Sequence, residues 1–269
     1  MDDLVKRYLA MLAITPTTPS LDLVNQIVKK HIATFSFSSA NVLLNKSLSL
    51  EPDALFERVI FNRTGGYCFE HNKIMHWVLE QLGFSVKPLM TRVLLIGEEG
   101  MGRLHRVTLL EFNNEHYIVD VGFGVLTAPS LFALKTHKVT HASGVYEMHQ
   151  TDENQFRLNY LPHNGDKQLT LYRFDLAEFT EMDCDIGHFY SSHSPDAAFV
   201  NNLVISQVHE SERIVIRNRM VTFYCDKHNT KEEQSITSSE QLHSLLTDFL
   251  NLSITQSEAK FLFEFTENK

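Results

Sequence analysis

Cysteine is scarce in this chain. Cys68, Cys184 and Cys225 are the only three in 269 residues, and no two of them form a C-x-x-C pair. So odd and sparse a set argues against a disulfide framework or a zinc site, and a metal-free protein with reduced thiols, hence a cytoplasmic one, is expected. There is no run of the roughly 18 apolar residues that a spanning helix requires. The opening Met1-Asp2-Asp3-Leu4-Val5-Lys6-Arg7 is acidic and then interrupted by charge, which does not suit a secretory signal. Basic residues are also in deficit. Lys and Arg number 24 against 33 Asp and Glu, a formal charge of −9, so neither nucleic acid nor an anionic membrane is an expected partner. No internal repeat or low-complexity tract is present. What remains, 43% hydrophobic and 21% charged residues, is the composition of a globular chain long enough for a substantial core.

Apolar residues recur at helical spacing in the first third. Residues 4–14 form one such stretch, and Ser20 caps a second carrying Leu21, Val24, Ile27, Val28 and Ile32. A third begins after Glu51-Pro52 with Leu55, Phe56, Val59 and Ile60 inward, and a fourth ends near Gly83. Residues 1–83 therefore read as a helical bundle. Beyond Gly83 the period changes. Stretches 86–96, 104–112 and 116–123 read as strands, the first two joined by a flexible hairpin loop over 97–102 whose glycines lack the order of a phosphate-binding loop. Further strands are expected at 145–148, 155–159, 168–174, 203–208, 213–216 and 220–225. Residues 176–200 read as a short helix plus loop. The stretch 238–250 reads as a helix with Leu242, Leu245, Leu246 and Phe249 inward. The expected fold is α+β with three parts: 1–83 helical, 84–190 an antiparallel β-barrel, and 191–269 a linker and mixed α/β unit.

One stretch concentrates chemistry. In Asn62-Arg63-Thr64-Gly65-Gly66-Tyr67-Cys68-Phe69-Glu70-His71-Asn72, two glycines precede a cysteine and a helix opens behind it. Gly65 and Gly66 can take positive φ and admit a close neighbour. Cys68 then sits at a helix N-terminus, where unpaired N–H groups favour a thiolate, the nucleophilic form. A free cysteine is otherwise a small buried apolar side chain. A nucleophile needs a base, and the base an orienting group. Of 14 histidines most fall in polar loops; His71, on the helix itself, is expected to be exposed and supported by nothing but Glu70. His105 is the better candidate. A two-residue turn at Asn113-Asn114 pairs Phe112 with Glu115 and Val107 with Asp120, which sets His105 and Asp120 on one face, a diagonal step apart. A three-residue turn would separate them. Asp120 is a lone carboxylate in an apolar strand and needs a cationic partner. Cys68, His105 and Asp120 are the catalytic candidates.

With these residues in place the chain resembles the arylamine N-acetyltransferase family. The resemblance rests on Gly-Gly-Tyr-Cys-Phe-Glu-x-Asn at 65–72, His105, Tyr-Ile-Val-Asp-Val-Gly-Phe-Gly at 117–124, and Ser194-Pro195-Asp196 followed by Phe199-Val200. It implies a cysteine-protease-like Cys-His-Asp core, a C-terminal α/β lid, and acetyl-CoA as co-substrate and acyl donor. The implied acceptor is a small aromatic amine, hydrazine or N-hydroxyarylamine, as in xenobiotic metabolism. By the same resemblance Phe37, Tyr67, Phe69, Phe123 and Phe199 match the aromatic substrate pocket; Gly102, Arg103 and Gly124 are the candidates for an oxyanion and coenzyme loop. Transfer would pass through an acetyl-cysteine, with a thiolate pKa well below the free value of about 8.5. Two departures stand out: Thr64 replaces an arginine, and Ser36-Phe37-Ser38-Ser39 replaces Pro-Phe-Glu/His-Asn. We expect an ion pair between these segments to be missing, unless Arg63 reaches residues 36–41 instead. A cysteine hydrolase, an amide synthase with a polyketide donor and a non-catalytic binder are the alternatives.

Overall fold

The computed structural model describes every residue except Met1, Ile96, residues 98–101 and Asn268. Side chains of Asp2 and Ser20 accept the N–H groups of Leu4 and Leu23, which starts α1 (Asp3–Met11) and α2 (Leu21–Thr34). Each buries one apolar stripe, Val5, Tyr8 and Leu9 in the first and Leu23, Val24, Ile27, Val28 and Ile32 in the second. After β1 (Phe37–Ser38) and α3 (Ala40–Leu43), α4 (Pro52–Leu55) runs into a wide i→i+5 turn over Phe56–Phe61. α5 (Cys68–Gln81) differs from α1 and α2. Its buried residues include the consecutive run Cys68, Phe69, Glu70, His71 and Asn72, so its first turns are enclosed on all sides.

The next eight strands are β2 (Ser85–Val93), β3 (His105–Phe112), β4 (Glu115–Val119), β5 (Phe132–Ala133), β6 (His137–His141), β7 (Gly144–Asp152), β8 (Gln155–Pro162) and β9 (Leu169–Asp175). They form one antiparallel sheet in the order β5-β4-β3-β2-β9-β8-β7-β6, nearly closed into a barrel. β2 is shared: its first seven residues pair with β3 and its last two, Arg92 and Val93, with β9. Leu89, Val107, Ile118, Met148, Leu158 and Tyr172 are among the residues that fill the interior. β2 and β3 form the expected hairpin; residues 98–101 of its loop lie outside the described residues.

α6 (Glu181–His193) and α7 (Ala198–Asn201) follow, then β10 (Val204–Val208), β11 (Glu212–Arg217), β12 (Met220–Cys225), β13 (Thr230–Ser235), α8 (Ser239–Ser244) and α9 (Gln256–Phe265). The second sheet has the order β1-β10-β11-β12-β13, so a strand from the helical third forms its edge. The expected inward position of Phe249 is corrected. α8 continues as an i→i+5 turn over Leu245–Phe249, which rotates Phe249 off the stripe of Leu242, Leu245 and Leu246 and leaves it 60% exposed. No helix among the described residues is long and apolar enough to cross a membrane.

Candidate active site

Tyr67 precedes α5 in extended conformation, and Cys68 is the first helical residue, 4% exposed. The loop before it is held tightly. Gly65 has φ +74°, and a Cβ there would lie 2.6 Å from Ser38 Cβ, so both conformation and space demand glycine. Gly66 has no positive φ, and its carbonyl accepts the Ser38 N–H at 2.6 Å. Glu70 Oε2 accepts the Tyr67 N–H at 2.9 Å while Oε1 pairs with Arg58. The junction expected to have lost an ion pair is closed by neutral bonds: Asn41 Nδ2 donates to Thr64 O, Thr64 Oγ1 and Gly65 O at 3.1–3.2 Å. Arg63, in left-handed backbone at φ 52°, donates to Thr34 O and lies over Phe35, short of residues 36–41.

The base and its carboxylate come from the β3–β4 hairpin. Asn113 (φ 52°) and Asn114 (φ 60°) make the two-residue turn, and the register runs from Phe112–Glu115 to Thr108–Val119. Asp120 follows directly. Its Oδ2 accepts from His105 Nε2 at 2.8 Å, and a carboxylate acceptor fixes the proton on Nε2, leaving Nδ1 as the basic nitrogen. Asp120 Oδ1 accepts from Asn72 Nδ2 and from the Gly122 N–H, both at 2.9 Å. Burial works against this carboxylate, but attraction to His105 and the hydrogen bonds from His105, Asn72 and Gly122 outweigh it and hold its pKa below the usual range. A Cβ on Gly122 would come within 2.9 Å of both Cys68 Cα and Asn72 Nδ2, so glycine lets the end of the hairpin close on the helix N-terminus. On the other side Cys68 Sγ lies 3.9 Å from Leu104 O, the residue before His105.

One expectation is corrected. His71 is 1% exposed; its Nε2 donates to Ser36 O at 3.1 Å and its Nδ1 meets His31 Nε2 at 2.8 Å, so both ring nitrogens are engaged away from the thiol. The protein environment around the Cys68 thiol works in both directions. Burial pushes its pKa up and the Asp120 charge adds to this, while the N–H groups of Phe69 and Arg106 oppose without reversing it.

Phe37, Tyr67, Phe69 and Phe199 pack in one cluster with Cys68, with Tyr67 and Phe199 rings 5.2 Å apart. Tyr67 and Phe69 are fully buried, whereas Phe123 and Phe199 are partly exposed. Phe123 belongs to the barrel core and meets His105 edge-on at 5.0 Å. Gly124 (φ +68°) lies beside Phe37 and Ser206, and Gly102 is exposed. The Arg103 guanidinium is bound by Asp175 at 3.0 and 2.5 Å. Sequence reasoning missed the supporting residues. Asn72 is quoted in the motif without a role. His188 of α6 accepts from Tyr67 Oη at 2.5 Å and stacks on its ring, and wholly buried Arg106 forks onto Glu181 at 2.7 and 2.8 Å. Among the described residues no group of three or more His, Cys, Asp or Glu side chains could hold a metal ion.

Comparison with known proteins places the chain in a family. A family model described as N-acetyltransferase matches residues 20–259. The arylamine N-acetyltransferase of Escherichia coli K12 is 28% identical over 90% of this chain and 86% of its own, and that of Mycolicibacterium smegmatis 30% identical over 75% and 74%. The solved arylamine N-acetyltransferase of Salmonella typhimurium superposes with a TM-score of 0.89 at 26% identity, covering 98% of this chain and 99% of its own. With a match over nearly its whole length in both sequence and fold, the chain belongs to the arylamine N-acetyltransferase family of acetyl-transferring enzymes.

Proposed function

We propose that Cys68, His105 and Asp120 carry acetyl from acetyl-CoA to an arylamine, hydrazine or N-hydroxyarylamine by double displacement. The observation that carries this reading is the hydrogen bond between His105 Nε2 and Asp120 Oδ2. With Nε2–H given to Asp120, Nδ1 is free to take a proton, and the segment bearing it lies against the Cys68 sulfur. The sulfur gives its proton to His105 in attacking the donor, and the imidazolium is balanced by Asp120. Cys68 adds to the thioester carbonyl, the tetrahedral adduct expels the coenzyme thiolate, and His105 returns the proton to it. An amine then adds to the acetyl-cysteine, His105 takes the amine proton, and the cysteine sulfur leaves and recovers that proton from His105. The backbone N–H groups of Phe69 and Arg106, which face the Cys68 sulfur, would receive the oxyanion. Arylamines are neutral near pH 7, and the aromatic cluster of Phe37, Tyr67, Phe69 and Phe199 beside Cys68, with Phe123 across His105, suits a flat apolar acceptor.

Relatives support the arylamine, N-hydroxyarylamine and coenzyme classes: the Salmonella typhimurium protein is also called an N-hydroxyarylamine O-acetyltransferase, and a Mycobacterium marinum relative was solved in complex with CoA. The test is incubation with acetyl-CoA and an aniline. Acetyl should appear on Cys68 by mass spectrometry before the amide accumulates. Cys68→Ala should abolish both, and Asp120→Asn should lower turnover by about 10⁴-fold, as loss of the orienting carboxylate does in such triads. Turnover retained in Cys68→Ala would remove the nucleophile assignment.

A further inference from the structure

The barrel carries a second feature, outside the triad. Strands β8, β9 and β2 are neighbours, and their registers set Arg157 opposite Arg173 and Arg173 opposite Arg92. Directly opposed residues share a sheet face, so three arginines stand in one row across three strands. The adjacent Phe156, Tyr172 and Phe174 are barrel-core residues, which puts the arginine row on the outer face. Arg103, two residues before β3, reaches the row, and the four arginines line a cavity of about 100 Å³ with Gln155 and Asp175.

Like charges placed opposite one another across a sheet are destabilising. Gathering four arginines in one cavity also runs against a net charge of −9. Among the described residues the neutralisation is partial. Arg103 is matched by Asp175, and Arg157 makes a contact of its own. Arg92 and Arg173 form no salt bridge or side-chain hydrogen bond among the described residues, and the Arg173 Nε–H is buried without a partner. Guanidinium forks match the paired oxygens of a phosphoryl group. The cavity exceeds the space of about 10–15 Å³ that one water needs, which leaves room for a tetrahedral oxyanion. It adjoins the triad in the chain: Arg103 is two residues from His105, and the Leu104 carbonyl between them is the group 3.9 Å from Cys68 Sγ.

We propose that this cavity binds a phosphoryl group, with Arg92 and Arg173 as its principal donors. Two sources share that chemistry, the phosphates of a coenzyme A thioester and free phosphate ion; the first rests on the proposed function and the second does not. The experiment is calorimetric titration and thermal unfolding with inorganic phosphate, coenzyme A and dephospho-coenzyme A. It compares the wild type with Arg173→Gln and with Arg92→Gln/Arg173→Gln. Binding should weaken by about tenfold or more in the double variant, the scale of a lost charge-assisted hydrogen bond. A preference for coenzyme A over its dephospho form that vanishes in the variant assigns the site to the ribose phosphate. Equal weakening of both assigns it to the diphosphate, and weakening of inorganic phosphate alone to the free ion. With repulsion relieved, the ligand-free double variant should melt no lower than the wild type. Unchanged binding of all three ligands overturns the proposal, as does a double variant that unfolds without ligand, since the arginines would then be holding the sheet. Acylation of wild-type Cys68 by p-nitrophenyl acetate, which has no phosphate, reads the proposed function separately.

Discussion

Asn72 lies one helical turn beyond Cys68 and uses both ends of its amide. Nδ2 donates to Arg106 O at 2.7 Å and Asp120 Oδ1 at 2.9 Å, while Oδ1 accepts the Val121 N–H at 3.0 Å. It therefore joins the nucleophile's helix to both strands of the hairpin at its open end. Asn72→Ala would leave Arg106 O and Val121 N–H unpaired in a buried site, at about 1–3 kcal/mol for each. It would also leave Asp120 Oδ1 with the Gly122 N–H alone. We expect lower stability in urea and slower alkylation of Cys68 at neutral pH; a variant with unchanged alkylation would show that His105 and Asp120 align without this amide. The residues legible in sequence were those with a local sign: a cysteine behind two glycines, a carboxylate in an apolar strand. Asn72 has partners 34 to 49 residues away, and His188 meets Tyr67 across 121, so nothing near them in the chain announces the bond.

Among the elements, the β3–β4 hairpin was readable because its turn has two residues and both are asparagines. Both take φ of 52–60°, where a Cβ-branched residue is strained. Asn113→Val and Asn114→Val should each cost about 1–2 kcal/mol, seen as a lower unfolding midpoint. If the strain is relieved by a longer loop instead, Asp120 turns away from His105 and Cys68 acylation falls with it. Either result separates the turn from the strands, and unchanged stability with unchanged acylation would refute its role in setting register. Elements that escaped sequence reading lack a period long enough to see. β1 and β5 have two residues each, and β13, Thr-Lys-Glu-Glu-Gln-Ser, is exposed throughout and alternates nothing. α9 is a different case: Thr255 and Glu258 cap its start reciprocally, a signal present in the sequence and passed over.

For the molecule as a whole, the largest buried cluster is not confined to helices. Val24, Ile27, Ile74 and Val78 pack in it with Leu110, Tyr117 and Val119 of the hairpin and Val208 of β10, a union no local pattern reveals. Enclosed in and around this packing are histidines held neutral. His31 is pushed well below its ordinary 6.5 by burial and by His71, His71 is lowered by burial, and His76 falls to about 4 through burial and then Arg106. Hydrogen bonds agree: His71 Nε2 must donate to Ser36 O, so His31 Nε2 donates to His71 Nδ1, and Tyr8 Oη to His31 Nδ1. Unfolding frees these rings to take protons at their ordinary pKa. Below about 6.5 the unfolded chain binds more protons than the folded one, so stability falls as pH drops through that value and keeps falling towards the lowered folded values. The lowered carboxylates work in a separate, more acidic window. Glu181, held at about 2 against burial by Arg106 and Lys73, contributes above its ordinary 4.5 and loses that contribution as pH falls towards 2. Unfolding midpoints measured from pH 8 downward should therefore begin to decline near 6.5, before any carboxylate titrates. His76→Gln should flatten the decline between 6.5 and 4. A midpoint constant from pH 8 to 5, or a slope unchanged in His76→Gln, would mean these rings already carry their protons in the folded protein.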